Sequence, residues 1–167
     1  MNDRIEFAIL CSGGKDHLCY RNGDTYVDVS MPMLNFSKGE DEFEILPPDS
    51  SYRSRIYEYN GREVRVEPAF YRNGWPAICV INQDDENDCE VLTVNLEEMD
   101  AIGVPNRTFV NSNNQPEAMD FLVKNGFATD TGYKRRSDFI EYPMVQVNIV
   151  KLYQHNPEVF GNVNIFM

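Results

Sequence analysis

Tight-turn dipeptides punctuate the first half of this chain: Gly13-Gly14, Asn22-Gly23, Asn60-Gly61 and Asn73-Gly74. A two-residue type I′ hairpin needs positive φ at both central positions, which Gly and Asn tolerate and β-branched residues do not. The stretches between these turns are short and apolar or alternating: Phe7 to Cys11, Thr25 to Val29, Arg55 to Tyr59, Arg62 to Val66 and Ala77 to Ile81. Such spacing leaves no room for long helices and dictates antiparallel hairpins. At Asn60-Gly61, Ile56 and Glu58 alternate with Tyr57 and Tyr59, while Val64 and Val66 alternate with charges, so one face is buried and the other wet. Tyr20-Arg21-Asn22-Gly23 recurs as Tyr71-Arg72-Asn73-Gly74, which reads as convergence on turn chemistry rather than duplication.

Asn35 to Arg55 reads as an exposed connection carrying one short strand, Phe43 to Leu46, with a boundary at Pro47 to Ser51. Residues 1–55 are therefore expected to form an N-terminal hairpin extension, and residues 56–167 an antiparallel sheet-plus-helix core module. One helix is expected over Gln115 to Lys124, with Asn114 as cap, Pro116 in the first turn, Ala118, Phe121 and Leu122 on one face, and Asn125-Gly126 ending it. A turn at Thr129 to Gly132 then leads into a long strand, Phe139 to Val150, which Pro143 should bulge or confine to an edge. Asn162 to Phe166 reads as a last short strand. The expected class is α+β: a twisted antiparallel sheet built from hairpins with one short helix packed on it.

With 15 Lys plus Arg against 27 Asp plus Glu, the chain carries a formal charge of −12. That argues against direct nucleic-acid or anionic-membrane binding through a broad basic face and favours a basic protein surface as partner. No run is long and apolar enough to span a bilayer, and Met1 to Arg4 has no signal-peptide pattern, so a cytoplasmic protein is expected. Cys11, Cys19, Cys79 and Cys89 form no Cys-x-x-Cys pair, and only His17 and His155 could join them, so no metal site and no cofactor are expected. Cys79 reads as a core residue and the others as free thiols. Trp75 reads as a packing anchor.

Phe7 to Cys11 followed by Ser12-Gly13-Gly14-Lys15-Asp16 resembles the strand and phosphate loop of a PP-loop ATP pyrophosphatase. In that reading Ser12, Gly13, Gly14 and Lys15 would bind a nucleotide phosphate. The family places Ser or Thr after the Asp, where this chain has His17, and strand-like residues follow where a helix is needed. The competing reading makes the loop a Gly-Gly hairpin turn. Asp84 to Asp88 spaces oxygens like an EF-hand loop but lacks its sixth-position Gly and has Asn95 where Glu is required, so it reads as an acidic hairpin loop joining Ala77–Ile81 to Val91–Asn95. His17 and Cys19 are read as pointing to opposite faces of a strand and so unable to share a proton. No catalytic residue is assigned.

Tyr71 to Gly74, Leu92 to Leu96, Phe109 to Asn111, Asn113 to Glu117, Phe121 to Gly126, Thr131-Gly132 and Tyr142-Pro143 together resemble a family of small domain-of-unknown-function proteins, over roughly residues 60–145. The resemblance implies carriage on conjugative elements and prophages of gut anaerobes, with accessory roles such as maintenance, transfer or interference with host defence. The resulting expectation is a non-enzymatic acidic interaction protein, in its specific form an anti-defence inhibitor occupying the basic nucleic-acid-binding surface of a nuclease. Its carriers would be Glu40, Asp41, Glu42, Glu44, Asp84, Asp85, Glu86, Asp88 and Glu90, since a nucleic-acid mimic needs clustered carboxylates without interleaved cations. The alternatives are a nucleotide-binding enzyme using the Ser12 to Asp16 loop, and a structural subunit whose strand edge pairs with another copy in a homo-oligomer.

Overall fold

The computed structural model describes residues 5–31, 33–96 and 106–161, where the chain is α+β: three antiparallel sheets and two short helices. The N-terminal sheet contains β1 (Phe7–Ser12), β2 (Lys15–Asn22), β3 (Thr25–Asp28), β4 (Asn35–Ser37) and β5 (Glu44–Leu46), in the order β4-β3-β2-β1-β5. Gly13 and Gly14, at φ 61° and 77°, close β1 on β2 between the paired Ser12 and Lys15. The next turn is displaced by one residue from Asn22-Gly23, because Asn22 pairs with Thr25 and leaves Gly23-Asp24 at the tip. Both faces of β1 and β2 are covered. Ile9 and Leu18 point into the main core, and Leu10 and Cys19 pack with Tyr26 and Phe36 in a small cluster on the other side.

The middle sheet is a meander of β6 (Tyr57–Tyr59), β7 (Arg62–Phe70), β8 (Pro76–Asn82) and β9 (Asp85–Val91). Asn60 and Gly61 have φ 51° and 75°, and Tyr59 pairs with Arg62, so this hairpin forms as its sequence requires. The stretch beginning at Asp85 is a strand, not a loop: Asn82 pairs with Asp85 and only Gln83-Asp84 turn. An edge strand tolerates this many charges because its outer side faces solvent.

The C-terminal sheet runs β10 (Thr93–Val94), β11 (Arg107–Val110), β13 (Ile140–Val147), β12 (Ala128–Ser137). Thr129 to Gly132 lies within β12 rather than forming a turn. The register shifts between Asp130 and Lys134, Gly132 takes φ 80°, and the Thr131 hydroxyl donates to the Met144 carbonyl at 2.8 Å, so the turn residues make a bulge. Pro143 sits on an interior strand. It pairs with Lys134 on one side, and on the other β11 reaches only Met144 to Gln146, so its missing N–H breaks no ladder bond there.

Two helices form where one was expected. Helix α1 covers Ala118–Lys124, shorter than Gln115 to Lys124, and Glu117 rather than Asn114 occupies its cap without a side-chain bond. Its end is a Schellman motif: Phe127 N–H donates to Leu122 O at 2.8 Å, Gly126 N–H to Val123 O at 3.1 Å, and Gly126 has φ 75°. The strand expected over Phe139 to Val150 stops at Val147, and helix α2 (Ile149–His155) begins after Asn148, whose side chain accepts from Lys151 N–H at 3.2 Å. The expected strand Asn162 to Phe166 lies outside the described residues.

Helix α2 buries Ile149, Leu152 and His155, and the core around it draws on every sheet: Ile9 and Leu18, then Val64, Val66 and Ile78, then Val145 and Val147, joined by Phe121, Phe127 and Phe160. Residues from both 1–55 and 56–167 thus share one core. Leu152 is fully buried. Leu152→Ala is expected to cost about 2–5 kcal/mol, read as a lower urea midpoint with the β-sheet and aromatic signals still unfolding together.

Candidate functional site

Strand β9 is one edge of the middle sheet, so its outer N–H and C=O groups have no strand partner among the described residues. It carries Asp85, Glu86, Asp88 and Glu90, with Asp84 in the preceding turn. Arg62, across the sheet on β7, forks between two of these: one guanidinium nitrogen lies 2.6 Å from Asp88 and the other 2.9 Å from Glu90. Asp88 also accepts from Asn82 Nδ2 at 3.0 Å. The hydrogen bond to Glu90, with the charges of Glu90 and Asp88, raises the Arg62 pKa. Glu86 reaches Arg65 at 3.8 Å but is largely exposed, a weak surface pair. Asp84 and Asp85 have no ion-pair partner among the described residues. The edge is therefore acidic at its tip and internally neutralised along its length; the requirement for carboxylates without interleaved cations is met at Asp84 and Asp85, not at Asp88 and Glu90.

The second acidic group lies in the connection between β4 and β5 and at the start of β5, away from the middle sheet. The Asp41 carboxylate accepts from Ser37 N–H at 2.7 Å, and the backbone N–H groups of Glu40 and Asp41 donate to the Ser37 carbonyl. Glu42 and Glu44 come alongside the β1–β2 turn: the Ser12 hydroxyl donates to the Glu42 carbonyl at 3.0 Å, and Glu44 pairs with Cys11. This arrangement is that of the hairpin-turn reading. Ser12, Gly13, Gly14 and Lys15 close an antiparallel hairpin with no helix behind them, the Ser12 hydroxyl is engaged, and the carboxylates of Asp16 and Glu44 act on the neighbouring Cys11 thiol. The backbone N–H groups of this turn have no helix N-terminus behind them with which to cradle a phosphate.

Both histidines and the Cys19 and Cys79 thiols are tied into the fold. His17 and Cys19 share a face of β2, as alternation requires of residues two apart, so the opposite-face reading is corrected: His17 Nδ1 lies 2.8 Å from Asp28, and Cys19 pairs with the same Asp28. The Cys19 thiol is nevertheless no nucleophile, since burial, followed by the Asp28 charge, pushes its pKa up to about 12. Cys79 is half-buried beside exposed Cys89, and burial pushes its thiol up to about 11. Among the described residues no group of His, Cys, Asp and Glu is placed to hold a metal ion. Trp75 packs on Phe109 with ring centroids 5.9 Å apart.

His155, which sequence reasoning left without a place, is 1% exposed and ties α2 to β6. Its Nδ1–H donates to the Lys151 carbonyl at 2.7 Å, which leaves Nε2 to accept from the Tyr57 hydroxyl at 2.8 Å. The signal for it was the cap Asn148, which starts a helix seven residues earlier.

Residues 67–165 match the model of a protein family described as a domain of unknown function, DUF4313. The match begins within β7 and extends further toward the C-terminus than the 60–145 resemblance. No curated protein and no solved structure matches the chain. Among the described residues no helix is long and apolar enough to cross a membrane.

Burial chiefly, with the charges of Lys151 and Arg55, holds His155 below its ordinary pKa of 6.5. The unfolded chain therefore binds the extra proton first, and stability falls as pH drops from about 6.5 toward the depressed folded value. Melting temperatures between pH 8 and 5 should show this slope, and His155→Gln should flatten it. Thiol titration of the folded protein should modify Cys89 first and leave Cys19 protected until unfolding.

Proposed function

The chain belongs to the DUF4313 family, and we propose that it is a non-enzymatic interaction module that docks a basic protein surface against the acidic end of β9. The observation that carries this reading is the combination at one place of an open strand edge with Asp84 and Asp85, exposed carboxylates without a cationic neighbour among the described residues. The open edge supplies unpaired backbone donors and acceptors to a partner, and the carboxylates supply steering and choice of partner. A formal charge of −12 adds a long-range field of the same sign.

Self-pairing of two such edges is disfavoured, because it would set like charges side by side. The partner is therefore basic and of another kind. The resemblance to proteins of conjugative elements and prophages makes the nucleic-acid channel of a defence nuclease the specific candidate. Glu40, Asp41, Glu42 and Glu44, on another sheet, would form a second contact only for a partner broad enough to span both.

The test compares wild type with the combined Asp84→Asn, Asp85→Asn, Glu86→Gln variant as bait against extracts of the native host. A basic protein retained by wild type should be lost or weakened about tenfold with the variant, and its affinity should fall steeply with salt. Retention that is indifferent to both changes would sink the proposal.

A further inference from the structure

A groove of about 720 Å³ lies between the start of β2, the end of β3, helix α2 and the β12–β13 pair. On an acidic protein it gathers cations: Lys15, Arg55 and Lys151 all line it, with His17 beside them. The carboxylates that line it are already engaged. Asp28 holds His17 Nδ1 at 2.8 Å and accepts from the N–H groups of Ser30 and Met31, while Asp16 takes the hydrogen bond of the Cys11 thiol.

Arg21, Arg53, Arg62 and Arg65 each have a carboxylate within 4 Å, whereas Lys15, Arg55 and Lys151 have none among the described residues. The Arg55 guanidinium lies 3.8 Å over the Tyr52 ring and interacts with the Tyr57 hydroxyl. Lys151 sits 4.7 Å over the Phe127 ring and donates to the Asn125 carbonyl. Burial, then the positive charge of Arg55, lowers the Lys151 pKa, so the two cations repel one another at short range. With 27 Asp and Glu on the chain, leaving adjacent cations without a carboxylate is a cost that a bound anion would offset.

We propose that this groove binds a small phosphate monoester, with Lys15, Arg55 and Lys151 meeting the phosphate. Three cations contributed by three separate segments suit a dianion with three acceptor oxygens better than a single carboxylate. The volume lies within the range of small-molecule sites. The site is independent of the acidic end of β9, which belongs to another sheet.

Calorimetry with AMP, at low salt, on the full chain tests it, with adenosine as the uncharged control. AMP should bind and adenosine should bind at least about tenfold more weakly; Lys15→Gln and Arg55→Gln should each weaken AMP by about five- to tenfold. Both residues lie outside the buried core, and an unchanged circular dichroism spectrum confirms that each variant is folded. The Asp84→Asn, Asp85→Asn, Glu86→Gln variant should bind AMP like wild type, which separates this site from the partner surface. Absence of AMP binding at millimolar concentration, equal affinity for adenosine, or AMP binding indifferent to Arg55→Gln would each overturn the assignment.

Discussion

Everything in this fold depends on the burial of α2. A helix of seven residues is too short to be stable alone, and none of the three sheets has a second sheet of its own to cover its inner face. Leu152 and Ile149 enter a cluster to which Leu18, Val66 and Val147 each bring a different sheet. His155 then locks the helix to β6 through the Tyr57 hydroxyl and packs edge-on against Phe127, which itself ends α1. The helix is held because three sheets need one cover, and the sheets are held because they share it.

Charge is distributed against this background in a way that composition does not convey. Carboxylates along β9 are partly spent on Arg62 and Arg65, so the negative potential concentrates at the turn, at Asp84 and Asp85. Three cations without a carboxylate partner, Lys15, Arg55 and Lys151, line the groove beside α2, where the helix, β2 and the segment before β6 meet. An acidic protein thus presents an anionic edge and a cationic hollow, and the two suit different kinds of ligand.

The hairpins were legible because their cause is local. Asn60-Gly61 and Gly13-Gly14 supply the positive φ that a two-residue turn demands, and the Gly126 helix end follows from the same freedom. Failures of the sequence reading have local causes too. Thr129 to Gly132 has turn chemistry, but β13 pairs with it on both sides of a bulge, so the turn signal became a kink. Val145 to Val150 is rich in β-branched residues and reads as one strand, yet Asn148 caps a helix in the middle of it, because the apolar face of Ile149 and Leu152 had a core to enter. Of the candidate site, the acidic composition of Asp84 to Glu90 was readable, but not its strand geometry or its arginine partners, which come from β7 more than twenty residues away.

By itself, then, the amino-acid sequence determined the hairpin-rich α+β class, the net negative charge and the membership of residues 67–165 in a family, since turns and charges are properties of neighbouring residues and of totals. Only the tertiary structure decided that Cys19 is a core thiol, and that Arg55 and Lys151 stand together without a carboxylate. The physical reason is sequence separation: Lys15, Arg55 and Lys151 are brought to one groove by packing around α2, and no local pattern records a juxtaposition made across more than a hundred residues of chain.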